Sequence, residues 1–171
     1  SSETEKQFAL NGIKNNDIVW MKQYFLNFWL TRNPYEPKKE WDNYYAEVQA
    51  VNKTFGTRIR KGWETDRGRV YLQYGPPNSR QEVAYEPNAY PYEIWHYYTL
   101  NQRQRNKRFV FYAPDLVTGD FELLHSDAVG EVNFPMWERK LNRDNTLLNF
   151  DENDYNSHWG SRARQFYNNP R

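Results

Sequence analysis

A chain of 171 residues with a formal net charge of +1 and no cysteine sets several classes aside. Disulfides, thiolate metal sites and a cysteine nucleophile are excluded, and no whole-molecule field draws nucleic acid or an anionic membrane. No apolar run approaches the ~20 residues of a membrane-spanning helix, and one domain is the default for this length.

The aromatic content, 7 Trp, 14 Tyr and 10 Phe, shapes the expected core. Each Tyr and Trp carries a polar atom that wants a partner, so many tyrosines are expected half-buried with the hydroxyl at the surface. No signal peptide is legible at the N-terminus, and the opening Ser1-Ser2-Glu3-Thr4-Glu5-Lys6 reads as a trimmed or internal start. Residues 1–16 are expected to be a linker or flexible start, and residues 17–171 a single domain.

Asn16 and Asp17 offer caps for a first helix. Ile18, Met21, Phe25, Phe28 and Trp29 recur at helical spacing and place it over 17–32, closed by Asn33-Pro34. Pro37 opens a second helix, with Trp41, Tyr44, Tyr45, Val48, Val51 and Phe55 in one stripe and Gly56 as its stop. A short proline-rich loop between them predicts an antiparallel or steeply crossed pair.

The segment Gly62 to Pro77 is dense in residues that set unusual backbone angles. Arg69 to Tyr74 alternates and could form a short strand. The helical reading is favoured, because punctuation fits at both ends: Asp66 as N-cap, Gly75 after the last turn and Pro76-Pro77 as stop. Three strand-like runs follow, Tyr92 to Thr99, Phe109 to Ala113 and Asp120 to His125. A polar basic tip, Asn101 to Arg108, joins the first two, and the turn Pro114 to Gly119 joins the second to the third. Connections this short imply an antiparallel meander. Phe134 to Leu141 reads as a short helix, Asp144 to Ser157 as loop, and Trp159 to Asn168 as a last helix. The expected fold is α+β: two N-terminal helices packed on a three- to four-stranded antiparallel sheet, with a C-terminal helical and loop extension.

Each candidate site has a functional and a structural reading. Asp66 could serve as an acid or metal ligand. A cap built from Thr65 and Asp66, with Trp63 anchoring it to the core, explains the same residues for ~1 kcal/mol. Arg58, Arg60, Lys61, Arg67 and Arg69 could gather an anion at a helix N-terminus, or form ion pairs with Glu64 and Asp66. Arg103, Arg105, Lys107 and Arg108, with aromatics on the strands below, mark a solvated hairpin tip, a partner contact or a nucleic-acid reader, of which the solvated tip is the commonest. His96, His125 and His158 show no ligand-pair spacing, so no metal and no cofactor is expected. His125-Ser126-Asp127 holds the letters of a triad, but neighbours in a strand face opposite ways. Glu93, Asp115, Asp120 and Asp127 could pair as glycosidase carboxylates, although no spacing demands it.

Gly62-Trp63-Glu64-Thr65-Asp66 resembles the signature that names the GWxTD domain family of bacterial exported proteins. The likeness continues through Arg67-Gly68-Arg69-Val70-Tyr71 and Tyr74-Gly75-Pro76-Pro77. It includes Phe28-Trp29, Arg32-Asn33-Pro34, Tyr44-Tyr45, Tyr92-Glu93-Ile94-Trp95 and His125-Ser126-Asp127, and so covers roughly residues 17–171. The resemblance implies a bacterial exported protein, in the periplasm or associated with the outer membrane, of which this domain is often the C-terminal part. It implies no activity, cofactor or ligand. The order Asp66, Val70, Gly75, Pro77, then Trp95 and Tyr97, then Phe109 and Phe111, is also similar to the small lipoprotein subunit of the outer-membrane β-barrel assembly machine. That likeness implies two helices on a three-stranded antiparallel sheet, an interaction role, and a helix over 67–74.

The function expected is a non-catalytic interaction or structural module of the bacterial cell envelope, within a larger protein or complex. Its partners would be other envelope proteins or a preceding domain of the same chain, with no nucleic acid and the membrane met only indirectly. The motif residues Gly62, Trp63, Thr65, Asp66, Arg67, Gly68, Tyr74, Gly75, Pro76 and Pro77 would be structural or binding, with Arg58, Arg60, Arg69, Arg103, Arg105 and Arg108 as partner or anion contacts. The alternative is a polysaccharide-acting enzyme or a glycan-binding module of the periplasm or cell surface.

Overall fold

Two helices precede the sheet. Helix α1 spans Ile18–Arg32 and α2 spans Pro37–Phe55. The computed structural model describes residues 7, 18–101, 103–143 and 161–169. The expected linker 1–16 apart from residue 7, the caps Asn16 and Asp17, the loop 144–157, and His158 and Trp159 lie outside the described residues. The chain divides into two compact units, residues 1–49 and 50–171.

In the first unit, the Asn33 side chain accepts from the backbone N–H groups of Tyr35 (3.1 Å) and Glu36 (3.0 Å), which sets the turn after α1. The helices meet through rings: Phe25 against Trp41 at 4.7 Å, and Trp29 against Trp41 at 5.8 Å and Tyr44 at 5.6 Å. Such edge and tilted contacts add to the area they bury. Even so, no residue of α1 is buried.

The second unit is built on a four-stranded antiparallel sheet in the order β1-β2-β3-β4, with β1 Ser79–Val83, β2 Tyr92–Leu100, β3 Gln104–Tyr112 and β4 Glu122–Ser126. A 3-10 turn at Gly62–Glu64 and helix α3, Asp66–Tyr74, precede it. Helices α4, Trp137–Leu141, and α5, Ser161–Asn168, follow. The α+β class holds, and residues 67–74 are helical.

Both faces of the sheet are covered. Trp95, Tyr97, Phe109 and Phe111 face Val51 and Phe55 at the end of α2 and Val70 of α3. Tyr92, Ile94, Val110, Tyr112 and Leu124 face Trp137 and Leu141 of α4 and Ala163 of α5. Burial on both sides explains why every residue from Tyr92 to Tyr97 is buried, Glu93 and His96 included, rather than every second one. Tyr24, Tyr71, Tyr74, Tyr90 and Tyr167 are half-buried as expected, but others lie deeper. Tyr92 and Tyr97 are fully inside, with hydroxyls donating to Glu86 at 2.6 Å and to the Gly75 carbonyl at 2.9 Å.

Two strand boundaries differ from expectation. The basic stretch Gln104 to Arg108 belongs to β3, because β2 runs on to Leu100 and pairs it with Gln104. That leaves only residues 101–103 between the strands. Strand β1 was not legible: its burial alternates, with Ser79, Gln81 and Val83 inward and Arg80 and Glu82 outward, but of the inward residues only Val83 is apolar.

Leu141 is 1% exposed in the layer under the sheet, whereas Leu116 lies in an exposed loop. Leu141→Ala is expected to cost about 2–5 kcal/mol, and Leu116→Ala less than ~0.5 kcal/mol. Urea midpoints of the two variants check the contrast.

Candidate functional site

The motif folds as a wedge of backbone. A Cβ placed on Gly62 would lie 2.1 Å from the Val51 carbonyl oxygen, and one on Gly68 would lie 1.9 Å from that of Gly62. Only glycine lets the 3-10 turn press against the end of α2, and α3 press against the turn. Thr65 is buried and caps α3: its Oγ1 accepts from the Gly68 N–H at 3.1 Å and donates to the Gly62 carbonyl at 2.7 Å. Gly75, at φ +82°, closes the helix with its N–H on the Tyr71 carbonyl.

Asp66 is not the cap. Thr65 already fills that position, so Asp66 is the first helical residue, and its carboxylate accepts the Leu123 N–H of β4 at 2.7 Å. β4 is an edge strand, and this bond occupies a donor that an edge would otherwise present. Trp63 is not an anchor in the core either. Its ring is 45% exposed, and its backbone N–H donates to Asn52 Oδ1 at 3.2 Å.

The arginines of the segment do not gather around one anion. Arg67 turns inward and pairs with Glu93, at 3.0 Å, over the Phe121 ring at 4.0 Å. Glu93 is fully buried on β2 and also pairs with Arg80 of β1. Arg69 grips Glu131 with both terminal nitrogens, at 2.9 and 2.7 Å, and the Tyr74 hydroxyl donates to the same carboxylate at 2.8 Å. Burial alone would raise the Glu131 carboxyl, but these two partners outweigh it and hold it below its ordinary value. Burial, with the bond to Glu131, pushes the Tyr74 phenol up to about 12. Arg60 pairs with Asp120 at 3.1 Å, while Arg58 and Lys61 stand exposed.

On the hairpin, Arg103 and Arg105 are exposed, but Lys107 and Arg108 are not tip residues. Lys107 donates to the Asp127 carbonyl at 2.7 Å, and Arg108 lies 3.5 Å from the Asp127 carboxylate and 5.1 Å over the Tyr167 ring. Pro76 is exposed and Pro77 half-buried in the link to β1. The other proposed carboxylates are engaged as well. Asp115 accepts from Val117 and Thr118 within its own turn, and Asp127 accepts the Arg108 N–H at 2.6 Å.

His125 and Asp127 share a face, two residues apart, while Ser126 points away. The Ser126 hydroxyl donates to the Arg108 carbonyl at 2.7 Å and accepts from the Ala128 N–H at 3.0 Å, so it is a structural group. His125 Nδ1 accepts the Phe134 N–H at 3.0 Å, which puts the neutral ring's proton on Nε2, 3.2 Å from the Tyr167 hydroxyl. His96 pairs across the sheet with Arg108 and is 6% exposed, and among the described residues both its ring nitrogens lack a partner. No group of His, Asp and Glu that could hold a metal ion occurs among the described residues, and no helix of the described chain is long and apolar enough to cross a membrane.

Glu93, Glu131 and Asn52 tie the motif in place, and none was singled out for that role in the sequence. Glu93 lay within a run read as strand. Glu131 lies 62 residues from Arg69, and only the fold brings them together.

The family profile described as the GWxTD domain matches residues 3–142. The chain belongs to the GWxTD domain family. No curated protein and no solved structure matches the chain, so the second likeness, to the assembly-machine lipoprotein, gains no support.

Two measurements check the site. Asp66→Ala leaves the Leu123 N–H without its acceptor and is expected to cost about 1–3 kcal/mol, while Asp66→Asn, whose amide oxygen can still accept, costs less. Chemical denaturation ranks the two. Burial depresses both His96 and His125, against the pull of Asp127, and Arg108 depresses His96 further. Each folded value therefore lies below the unfolded one, near 6.5, and the unfolded chain binds protons first as pH falls. Stability should be flat above about pH 7 and fall below ~6.5, by at most ~1.4 kcal/mol per pH unit for each histidine. Denaturation midpoints between pH 7.5 and 5.5 check this, with His96→Gln removing one share of the slope. The depressed Glu131 stabilises the fold throughout this range, and its contribution is lost only at lower pH, as the unfolded and then the folded carboxylate protonates.

Proposed function

We propose that this chain is a non-catalytic interaction module of the bacterial cell envelope, working within a larger protein or complex. One observation carries the reading: ten of the fifteen residues of α1 are apolar or aromatic, yet none is buried. A helix apolar around most of its circumference is ordinarily covered. Phe25 and Leu26 of α1, Tyr35 in the turn, and Tyr44 and Tyr45 of α2 are all exposed. Contact residues of this kind, large and aromatic, dominate binding energy where proteins meet.

Family membership supports the envelope address, because members of the family resemble exported proteins of bacteria with an outer membrane. The partner would be another envelope protein or a preceding domain of the same chain, and the membrane would be met through that complex. The carboxylates and the Ser126 hydroxyl that an enzymatic reading would recruit are occupied in holding the fold.

A photo-cross-linking residue in place of Leu26, in cells that make the protein, tests this reading. Discrete protein adducts are expected. Their absence, together with turnover of an envelope polysaccharide by the purified chain, would replace the reading with an enzymatic one.

A further inference from the structure

Helix α5 lies outside the residues that the family profile matches, 3–142, yet it covers part of the sheet. Its Ala163 is fully buried in the layer that holds Tyr92, Ile94 and Tyr112, and Phe166 and Tyr167 pack at the margin of that layer. The helix is lightly held. Among the described residues no backbone hydrogen bond ties it to the rest of the fold. Its ion pair, Arg164 with Glu138 of α4 at 2.7 Å, faces solvent and contributes little. By contrast, the end of α4 is fastened by backbone: the Tyr90 N–H donates to the Leu141 carbonyl at 2.9 Å, and the Arg143 N–H to the Asn88 carbonyl at 2.7 Å.

Tyr167 seats α5 on a titratable ring. Its hydroxyl lies 3.2 Å from His125 Nε2, and its own ring lies 5.4 Å from that of Trp137. The His125 ring stacks on Trp137 at 6.2 Å and 12°. His125 Nδ1 already accepts the Phe134 N–H at 3.0 Å. A protonated imidazole donates from both nitrogens, so its new N–H would point at another N–H. His125 is 6% exposed, and little water can supply the acceptor it then lacks. The ring must turn to find one, and turning takes it off Trp137 and away from the Tyr167 hydroxyl. The charges nearby do not remove this conflict. Asp127, just past β4, favours the charged ring, but burial outweighs it. Its carboxylate also accepts the Arg108 N–H at 2.6 Å and lies 3.5 Å from that guanidinium. Arg108 of β3 brings a cation to the same place, 5.1 Å over the Tyr167 ring, and His96 of β2 pairs with Arg108 across the sheet. Towards His125, α4 presents the uncharged Trp137 ring and α5 the Tyr167 phenol.

We propose that α5 is an acid-released latch: protonation of His125 breaks the contact that seats Tyr167 and frees the helix, while the four strands stay paired. The docked ring resists a proton that the released ring accepts at its ordinary value, near 6.5. Docking is therefore complete above about pH 7 and weakens below ~6.5, by at most tenfold per pH unit for one proton. The device stands apart from the interaction reading above and does not rest on it.

Hydrogen–deuterium exchange of the full chain between about pH 7.5 and 5.5, corrected for the intrinsic exchange rate at each pH, tests the latch. The peptide 161–169 should be protected at the upper pH and lose protection below ~6.5, by up to tenfold per pH unit. Peptides of β2 and β3 should stay more protected than it at every pH. His125→Asn does not titrate, and its Oδ1 can keep the Phe134 bond, so it should hold the protection of 161–169 nearly constant. His96→Gln should leave the fall in place. The wild-type His125 ring, followed by NMR, should titrate below its ordinary value of about 6.5, and this readout stands even where His125→Asn does not fold. A peptide 161–169 unprotected at the upper pH, or a flat profile, overturns the proposal. Equal protection of α5 and the strands at every pH does so too, because the whole fold then opens at once. So does a fall that survives His125→Asn or vanishes in His96→Gln, and so does a His125 ring that titrates at or above its ordinary value.

Discussion

The second unit depends on two places where a side chain is forbidden. Backbone meets backbone at Val51, Gly62 and Gly68, at distances that leave no room for a Cβ. Because the 3-10 turn can press in that far, Val51 and Phe55 reach the aromatic core and Thr65 sits deep enough to cap α3 without losing its own hydrogen bonds. The same approach carries Asp66 to the edge strand and Arg67 to Glu93. A larger residue at either glycine would shift the turn and, with it, every long-range bond that the motif makes.

Charge inside an aromatic core is the second constraint. Glu93 lies on the central strand β2, fully buried, between Arg67 and Arg80, whose guanidiniums both lie over the Phe55 ring, that of Arg67 over Phe121 as well. Burying a carboxylate is tolerable only when it is paired and hydrogen-bonded, and removing one partner of such a group costs far more than breaking a surface pair. Glu131 repeats the solution at the rim, with Arg69 and Tyr74 as partners. These carboxylates fasten α3 to the sheet and to the loop after β4, and they account for much of the chemistry that first drew notice to the segment. What remains outward is Trp63, together with the rings of α1 and α2 in the first unit. In this chain structure consumes the ionisable groups, and surface is left largely to aromatic ones.

Much of this was legible in the sequence, for local reasons. The 3.6-residue spacing from Ile18 to Phe55 and the stops at Asn33-Pro34 and Gly56 marked two helices. Glycine and proline punctuation selected a helix over a strand for 67–74, because cap and stop act within one turn of the residues they serve. The family, too, could be read from an ordered series of short motifs. Tertiary structure decided matters that depend on distant partners. Whether Asp66 caps its own helix or bonds a strand 57 residues away depends on where that strand lies. Whether Gly62 and Gly68 tolerate a side chain depends on Val51 and on backbone that the fold brings against them. β1 has no apolar pattern in its sequence and is strand because β2 offers a partner, and the basic stretch of β3 became strand once Leu100 paired with Gln104. Local backbone preference is written in consecutive residues, whereas burial and pairing are set by residues that only the fold makes neighbours.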